Sequence, residues 1–476
     1  MSSHNTPNIY AELLTNIRQL SVAVTLPSPA GGQTRALIAA DGSTLHIHHA
    51  GTETYFPLPG RVLAQGDAPK ALPTPPPSAL SPSASHTLSW RLPLADSPAA
   101  PRTGTSLADD PVPWTARDLL PGSAVACRHC AAVVVPGGKA GEWKDLPSEN
   151  WAEMMDFWHC HKPSTDHEHE HGGGGDGVDG EGKEQGQGKA DHEHLTRRGY
   201  GANSSIAAQP GVGMVDLTSF LFCEADCVGL KFSLPSSDAA TPAPSSSEVL
   251  ARGEGISGPG SDPTPPPRML NIACSACASH LGFFNVAISS VVLLKWQVSC
   301  QTITSHPATA AAAAAAAQPT SSDCLAATLI ATLSRSGSSK SVVVPAFQST
   351  QHLASSSDGE VVPALHLWIL NSNITFASSS SSFPSASSPS SAQQRTKRAA
   401  IKLLYKEISQ DEADTMLGSM TSDVQEVNLP LPAIVAAAEG LKRSSEVLPP
   451  SERTFKGWNV GLLDKWEPGS AGTASP

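Results

Sequence analysis

Two cysteine pairs share one spacing, Cys127 with Cys130 and Cys274 with Cys277. A two-residue gap lets both sulfurs point inward from one tight turn, which is what tetrahedral zinc requires. Thioredoxin-type redox pairs have the same spacing, but they sit between a strand and a helix with the thiolate at the helix N-terminus. Here Cys130 is followed by Ala-Ala-Val-Val-Val and Cys277 by Ala-Ser-His-Leu-Gly, so each pair leads into strand or turn. Together they point to a structural four-cysteine zinc site. The pairs of zinc ribbons usually lie within about 15–20 residues of each other, and these are much farther apart. An insertion-laden domain tolerates that, because the cost of closing a loop grows only logarithmically with its length. A more local site would use Cys127 and Cys130 with two of His159, Cys160 and His161, leaving Cys274 and Cys277 for a second site with Cys223 and Cys227. The spacing leaves one site and two sites both open.

The His159-Cys160-His161 triplet also has a nucleophilic reading. A reactive cysteine must be a thiolate, and two neighbouring imidazoles could help deprotonate it. Its place at the end of an expected helix over Ser148–Trp158 works the other way, since the negative end of the helix dipole raises a thiol pKa. A bound metal would override that. No glycine-rich phosphate loop, Gly-x-Ser-x-Gly elbow or His-Glu-x-x-His pattern is present.

The elements that must position these side chains are mostly strands. Leu20–Leu26 alternates as a half-buried strand does. Ala36–Ala40 and Thr44–His48 flank Asp41-Gly42, a hairpin signal. Thr52–Leu58 and His86–Leu94 continue the series. Met269–Gln301 is a strand-rich block, Val342–Val344 and Ala364–Phe376 look like further strands, and Gly457–Trp466 looks like a closing one. Val133–Val135 is an apolar run, Val212–Leu234 is ordered sequence and Ile401–Ile408 follows the serine tract. In the helix over Ser148–Trp158, Trp151, Met155 and Trp158 fall on one face. Leu431–Leu441, followed by Lys442-Arg443, reads as a helix and its ending. The expected fold is a β-rich α+β body of antiparallel sheets with few helices, stapled by zinc and interrupted by long disordered insertions.

Composition sets the same limits. The 476 residues include 41 prolines and 38 glycines, with only 5% aromatic and 16% charged side chains, so much of the length cannot bury apolar surface. The expected regions are an N-terminal β-rich stretch (1–117), a cysteine-rich stretch (118–303) with insertions at 165–199 and 235–268, an alanine-rich linker (304–322), and a C-terminal α+β region (323–468) with a serine insertion at 378–391. A net charge of −12, from 43 acidic and 31 basic residues, disfavours nucleic acid as a partner. No apolar run is long enough to span a bilayer, and Met1–Leu20 lacks a secretory pattern, so a membrane is not an expected partner either. The expected location is cytoplasm, nucleus or both, where the nine cysteines point to metal or reactive thiols rather than disulfides.

Cys127-Arg-His-Cys130, Leu146-Pro-Ser-Glu-Asn-Trp151 and Trp158-His-Cys-His161 together resemble the signature of the HECT-like family that binds ubiquitin-conjugating enzymes. Ile272-Ala-Cys-Ser-Ala-Cys-Ala-Ser-His-Leu-Gly282 looks like that family's second cysteine pair, and Leu429–Leu448 followed by Thr454-Phe-Lys-Gly-Trp-Asn-Val-Gly-Leu-Leu463 is similar to its C-terminal end. The resemblance implies a ubiquitin ligase that docks a conjugating enzyme and transfers ubiquitin to protein lysines, with a cysteine thioester as intermediate. It also suggests cyclins as protein substrates. By position it places zinc ligation on Cys127, Cys130, Cys274, Cys277 and His161, with Cys160 as the candidate for carrying ubiquitin.

Overall fold

The computed structural model describes residues 6–63, 68–74, 86–95, 111–146, 206–234, 269–303, 318–346, 364–379, 397–419 and 423–467. Within these the chain is strand-rich, with 23 strands and three α-helices. It divides into two compact units, Trp114–Pro307 and a second made of Met1–Pro113 with Ala308–Pro476.

The discontinuous unit begins with β1 (Asn8–Leu14), β2 (Gln19–Thr25), β3 (Arg35–Ile38), β4 (Thr44–His49), β5 (Thr52–Pro57), β6 (Lys70–Leu72) and β7 (Thr87–Pro93). Alternation is plain in β4 and β7, where every second side chain is buried. At the β3–β4 hairpin Gly42 adopts φ 72°, and a Cβ there would lie 2.2 Å from the Val62 carbonyl oxygen. The turn therefore requires glycine.

The continuous unit carries β8 (Val125–Cys127), β9 (Val133–Val135), β10 (Glu142–Asp145), β11 (Val212–Val215), β12 (Ser219–Cys223), β13 (Leu230–Ser233), β14 (Met269–Cys274), β15 (His280–Asn285), β16 (Ser290–Leu294) and β17 (Val298–Ser299). Seven of these form one sheet in the order β10-β11-β12-β16-β15-β14-β13, and β17-β8-β9 form another. All pairs are antiparallel except β10 with β11. Trp114, Trp143, Phe220 and Phe222 pack together in its interior.

The chain then returns to the discontinuous unit through α1 (Ser321–Ser336), β18 (Lys340–Pro345), β19 (Ala364–Ser378), β20 (Arg398–Ile408), α2 (Gln410–Leu417), β21 (Val424–Leu429), α3 (Leu431–Ser445), β22 (Thr454–Phe455) and β23 (Trp458–Asp464). The N-terminal and C-terminal stretches share one nine-stranded sheet, ordered β22-β23-β20-β19-β1-β2-β7, with β18 joining β19 to β21. The long strand β19 makes this possible: its first half pairs with β18 and its last residues pair with β1. Lys402 on β20 reinforces the junction, its Nζ lying 2.7 Å from Glu12 on β1, whose other partner is the Tyr10 hydroxyl. Helices α1 and α3 lie against β23, and α2 against β18 and β21.

The expected β-rich α+β architecture is what the chain adopts, with one helix, α3, close to where Leu431–Leu441 placed it. Helix α1 was not anticipated: it starts within the expected alanine-rich linker, at Thr320, whose side chain forms a capping box with Asp323. At the start of the expected serine insertion 378–391, Ser378 is still paired with Tyr10 and Ser379 Oγ accepts the Ile9 amide; 380–391 lie outside the described residues. The helix expected over Ser148–Trp158 and the insertions 165–199 and 235–268 lie outside the described residues. No helix among the described residues is long and apolar enough to cross a membrane.

Candidate metal centre

Both cysteine pairs occupy hairpin tips built alike. Cys127 ends β8 and Cys274 ends β14, each followed by a turn into the next strand. The residue after each second cysteine is an alanine in the left-handed region, Ala131 at φ 60° and Ala278 at φ 61°. Its amide donates to the carbonyl of the first cysteine at 2.9 Å in both turns. The first cysteine's own amide donates five residues ahead, Cys127 to Ala132 at 2.8 Å and Cys274 to Ser279 at 2.9 Å. Left-handed alanine costs roughly 1–2 kcal/mol, a strain that the paired hydrogen bonds hold in place.

The order of strands brings the tips together. After β16 the chain turns back so that Val298 of β17 pairs with Cys127 of β8, and Arg128 donates its amide to the Gln297 carbonyl. Between them, the Val228 amide donates to Val134 O, and the Ser275 amide donates to Gly229 O, so one loop is bonded to both hairpins. As a result all four sulfurs lie within 4.8 Å of one another. The closest pairs are formed across the two turns, Cys127 with Cys277 at 3.7 Å and Cys130 with Cys274 at 3.6 Å.

These separations test the fit to a metal. A tetrahedral zinc thiolate with Zn–S of about 2.3 Å sets its sulfurs about 3.8 Å apart, close to the cross-turn distances. Four sulfurs satisfy a closed structural site, and the backbone is arranged for charge on them. Amides of His129 and Cys130 point at the Cys127 sulfur, and those of Ala132 and Ser279 at Cys130 and Cys277. Burial pushes the Cys127 thiol up to about 12, and its amide donors oppose this. Cys277 goes the other way: the hydroxyl of Ser279, 3.3 Å away, and its amide draw the thiol down to about 6. One sulfur is thus ready as a thiolate near neutral pH, and another must lose its proton to bind a metal.

The structure brings together Cys127, Cys130, Cys274 and Cys277. Cys160 and His161 lie outside the described residues. Cys223 and Cys227 are not part of the cluster. Instead Cys227 Sγ donates to the Cys223 carbonyl. Two contributors were missed from sequence: Ser279, and the Val228-Gly229 loop. For the first there was a signal, since both pairs are followed by alanine and then a small residue.

A family model described as HECT-like ubiquitin-conjugating enzyme (E2)-binding matches residues 12–460 of this chain. Two curated relatives match over short stretches. An uncharacterized protein of Saccharomyces cerevisiae is 38% identical over 52 residues, 10% of this chain and 15% of the relative. An uncharacterized protein of Schizosaccharomyces pombe is 44% identical over 54 residues, again 10% of this chain and 15% of the relative. The chain thus aligns with only 15% of the length of either relative. No solved structure matches it.

Proposed function

Because this chain belongs to the HECT-like family that binds ubiquitin-conjugating enzymes, we propose that it docks such an enzyme and promotes ubiquitin transfer to protein lysines. In this reading one zinc ion on Cys127, Cys130, Cys274 and Cys277 orders the unit Trp114–Pro307, and the protein works in the cytoplasm or nucleus. The convergence of both cysteine pairs on one point carries the proposal. It accounts for four motif cysteines with one structural ion, so this reading does without the zinc ligation that the resemblance suggested for His161 and keeps Cys160 as the carrier of ubiquitin. In the thioester route the Cys160 thiolate attacks the carbonyl of the conjugating enzyme's ubiquitin thioester and releases that enzyme's thiol. A substrate lysine amine then attacks the new thioester and releases Cys160.

A second reading, a zinc-dependent adaptor that recruits the conjugating enzyme without covalent transfer, has its own support. Burial pushes the thiols of Cys227 and Cys300 up to about 12, and Cys324 is buried in α1. Thiols held in this way make poor nucleophiles, so Cys227, Cys300 and Cys324 offer the covalent route no carrier.

A charging assay tests both. Purified, zinc-loaded protein is incubated with ubiquitin, activating enzyme and a panel of conjugating enzymes, then run on non-reducing gels. The ligase reading expects a thiol-sensitive ubiquitin adduct that disappears in Cys160→Ser. Binding of a conjugating enzyme without any adduct selects the adaptor, and no binding to any member of the panel overturns both.

A further inference from the structure

In the discontinuous unit, one face of the sheet holds a cluster that the metal centre does not use. His366 and Trp368 on β19 lie directly opposite Lys406 and Leu404 on β20, and Lys340 on β18 lies opposite Trp368. Directly opposed residues share a face. Trp458 at the start of β23 completes the group: its ring is 4.7 Å from that of His366 and 6.1 Å from that of Trp368, edge-on to both. Lys406 Nζ lies 4.6 Å over the Trp458 ring and Lys340 Nζ 5.4 Å over the Trp368 ring.

Two observations single this cluster out. His366 is 92% buried by its 8% exposure, yet its Nε2 has no hydrogen-bond partner among the described residues. A buried polar atom left unbonded costs about 1–3 kcal/mol, and native interiors rarely keep one. The charges form the second. Lys340 is paired with Asp423 at 3.1 Å, whereas Lys406 forms no ion pair among the described residues. The imidazole adds no charge of its own, since burial, and then Lys340 and Lys406, hold it below the usual histidine range. One uncompensated positive charge stands beside one unsatisfied nitrogen.

We propose that His366, Trp368, Lys406 and Trp458 form a binding site for an acidic side chain on an extended segment of a partner protein. The carboxylate would accept from Lys406 Nζ, as Asp423 already accepts from Lys340 next door, and from His366 Nε2, which is enclosed in the free protein, after that ring turns toward it. A single free cation matches a monoanionic carboxylate better than a phosphate carrying about −1.5 to −2. The surroundings favour a peptide over a free small anion. Leu370, two residues beyond Trp368, and Phe455, opposite Trp458, are 47% and 50% exposed, so apolar surface continues beside the indoles for a segment's neighbouring side chains. The protein as a whole carries −12, which removes general electrostatic attraction as the source of any acidic-peptide binding.

The test uses the full chain and a fluorescein-labelled pentapeptide of alternating leucine and glutamate, with a leucine–glutamine counterpart and inorganic phosphate as competitor. Fluorescence anisotropy should saturate with the glutamate peptide. The glutamine peptide, Lys406→Met and His366→Phe should each weaken binding at least tenfold, with near-UV circular dichroism confirming that the variants keep their tryptophan packing. Equal affinity for the two peptides, no saturable binding, or an unchanged affinity in folded Lys406→Met would overturn the proposal. So would phosphate competing at concentrations comparable to the peptide, which would make this a small-anion site. Because no cysteine of the metal centre belongs to this unit, the outcome is independent of the ligase and adaptor readings.

Discussion

Removing the metal should unfold one unit and spare the other. Cys127 and Cys277 are 150 residues apart, so an ion joining them restricts the unfolded chain as a cross-link would. The chain-entropy relation gives about 5 kcal/mol for a loop of that length at 25 °C. Structural zinc sites contribute apparent binding free energies of about 10–16 kcal/mol at pH 7, and a whole domain is stable by about 5–15 kcal/mol. Even the smaller figure is therefore comparable to everything that holds the unit Trp114–Pro307 together. The assay is amide hydrogen exchange on zinc-loaded protein, with and without a strong chelator, and on Cys274→Ser. Amides of β15 and β16 should exchange at least a thousandfold faster, as 5 kcal/mol implies at 1.4 kcal/mol per factor of ten. Amides of β20 serve as the internal reference, because the hydrophobic clusters of that unit contain none of the four cysteines. A change of less than tenfold in β15 and β16, from protein shown to have lost its zinc, would refute the assignment of a structural role to the cluster.

Three further outcomes follow from the geometry. With Cys127 at about 12 and Cys277 at about 6, zinc uptake at pH 7 must displace the Cys127 proton. Affinity should then fall at least tenfold per unit as pH drops from 8, and more steeply below about 6 where Cys277 also holds a proton; competition titrations showing a flat profile would contradict this. Gly282→Ala would place a Cβ 1.9 Å from the Val292 carbonyl oxygen across the β15–β16 pair. We expect a loss of about 3 kcal/mol or more in denaturant unfolding, in the range of severe backbone clashes, and a loss below 1 kcal/mol would show that the strands can part. Lys402→Met would strand Glu12, whose side chain is 5% exposed, at a cost of about 3–5 kcal/mol. The double substitution with Glu12→Met should recover most of it, and additive losses would mean that the pair does not couple β1 to β20.

What the sequence disclosed and what it hid divide along contact range. Local pattern sufficed for the β3–β4 hairpin, whose Asp41-Gly42 turn is closed by Ser43 donating to Asp41, and for α3 with its basic last turn. Alternation found β2 and β7 because each buries one face. Helices α1 and α2 carried their signals in Thr320-x-x-Asp323 and Ser409-x-x-Glu412, but the first was hidden among alanine, serine and threonine and the second is only eight residues long. Strand β1 has little alternation, with four consecutive buried residues, and is a strand because β2 and β19 bind its two edges. The metal centre was half legible. Spacing identified both pairs, yet nothing local could decide whether Cys127 and Cys130 look to Cys274 and Cys277 or to the nearby His159-Cys160-His161. The pairing of β17 with β8, which helps bring Cys127 beside Cys277, joins residues more than 170 apart.

The likeness of the two turns bears on how substitutions there should be read. In each, the positive-φ alanine and the two flanking backbone hydrogen bonds involve no side chain. A cysteine replaced by serine therefore removes a metal ligand while leaving the turn that presented it. The positions still differ in burial: Cys127 and Cys274 are enclosed, whereas Cys130 is exposed. A buried serine hydroxyl adds its own desolvation penalty of about 1–3 kcal/mol, so Cys127→Ser and Cys274→Ser confound lost metal with a misplaced polar group. Cys130→Ser does not. If Cys130→Ser and chelation give the same exchange pattern in β15 and β16, the effect belongs to the ion. A conjugating-enzyme defect seen in Cys130→Ser and reversed by no amount of zinc then reports on the ordered unit as the docking element, and a folded Cys130→Ser that still binds the enzyme moves docking away from this unit.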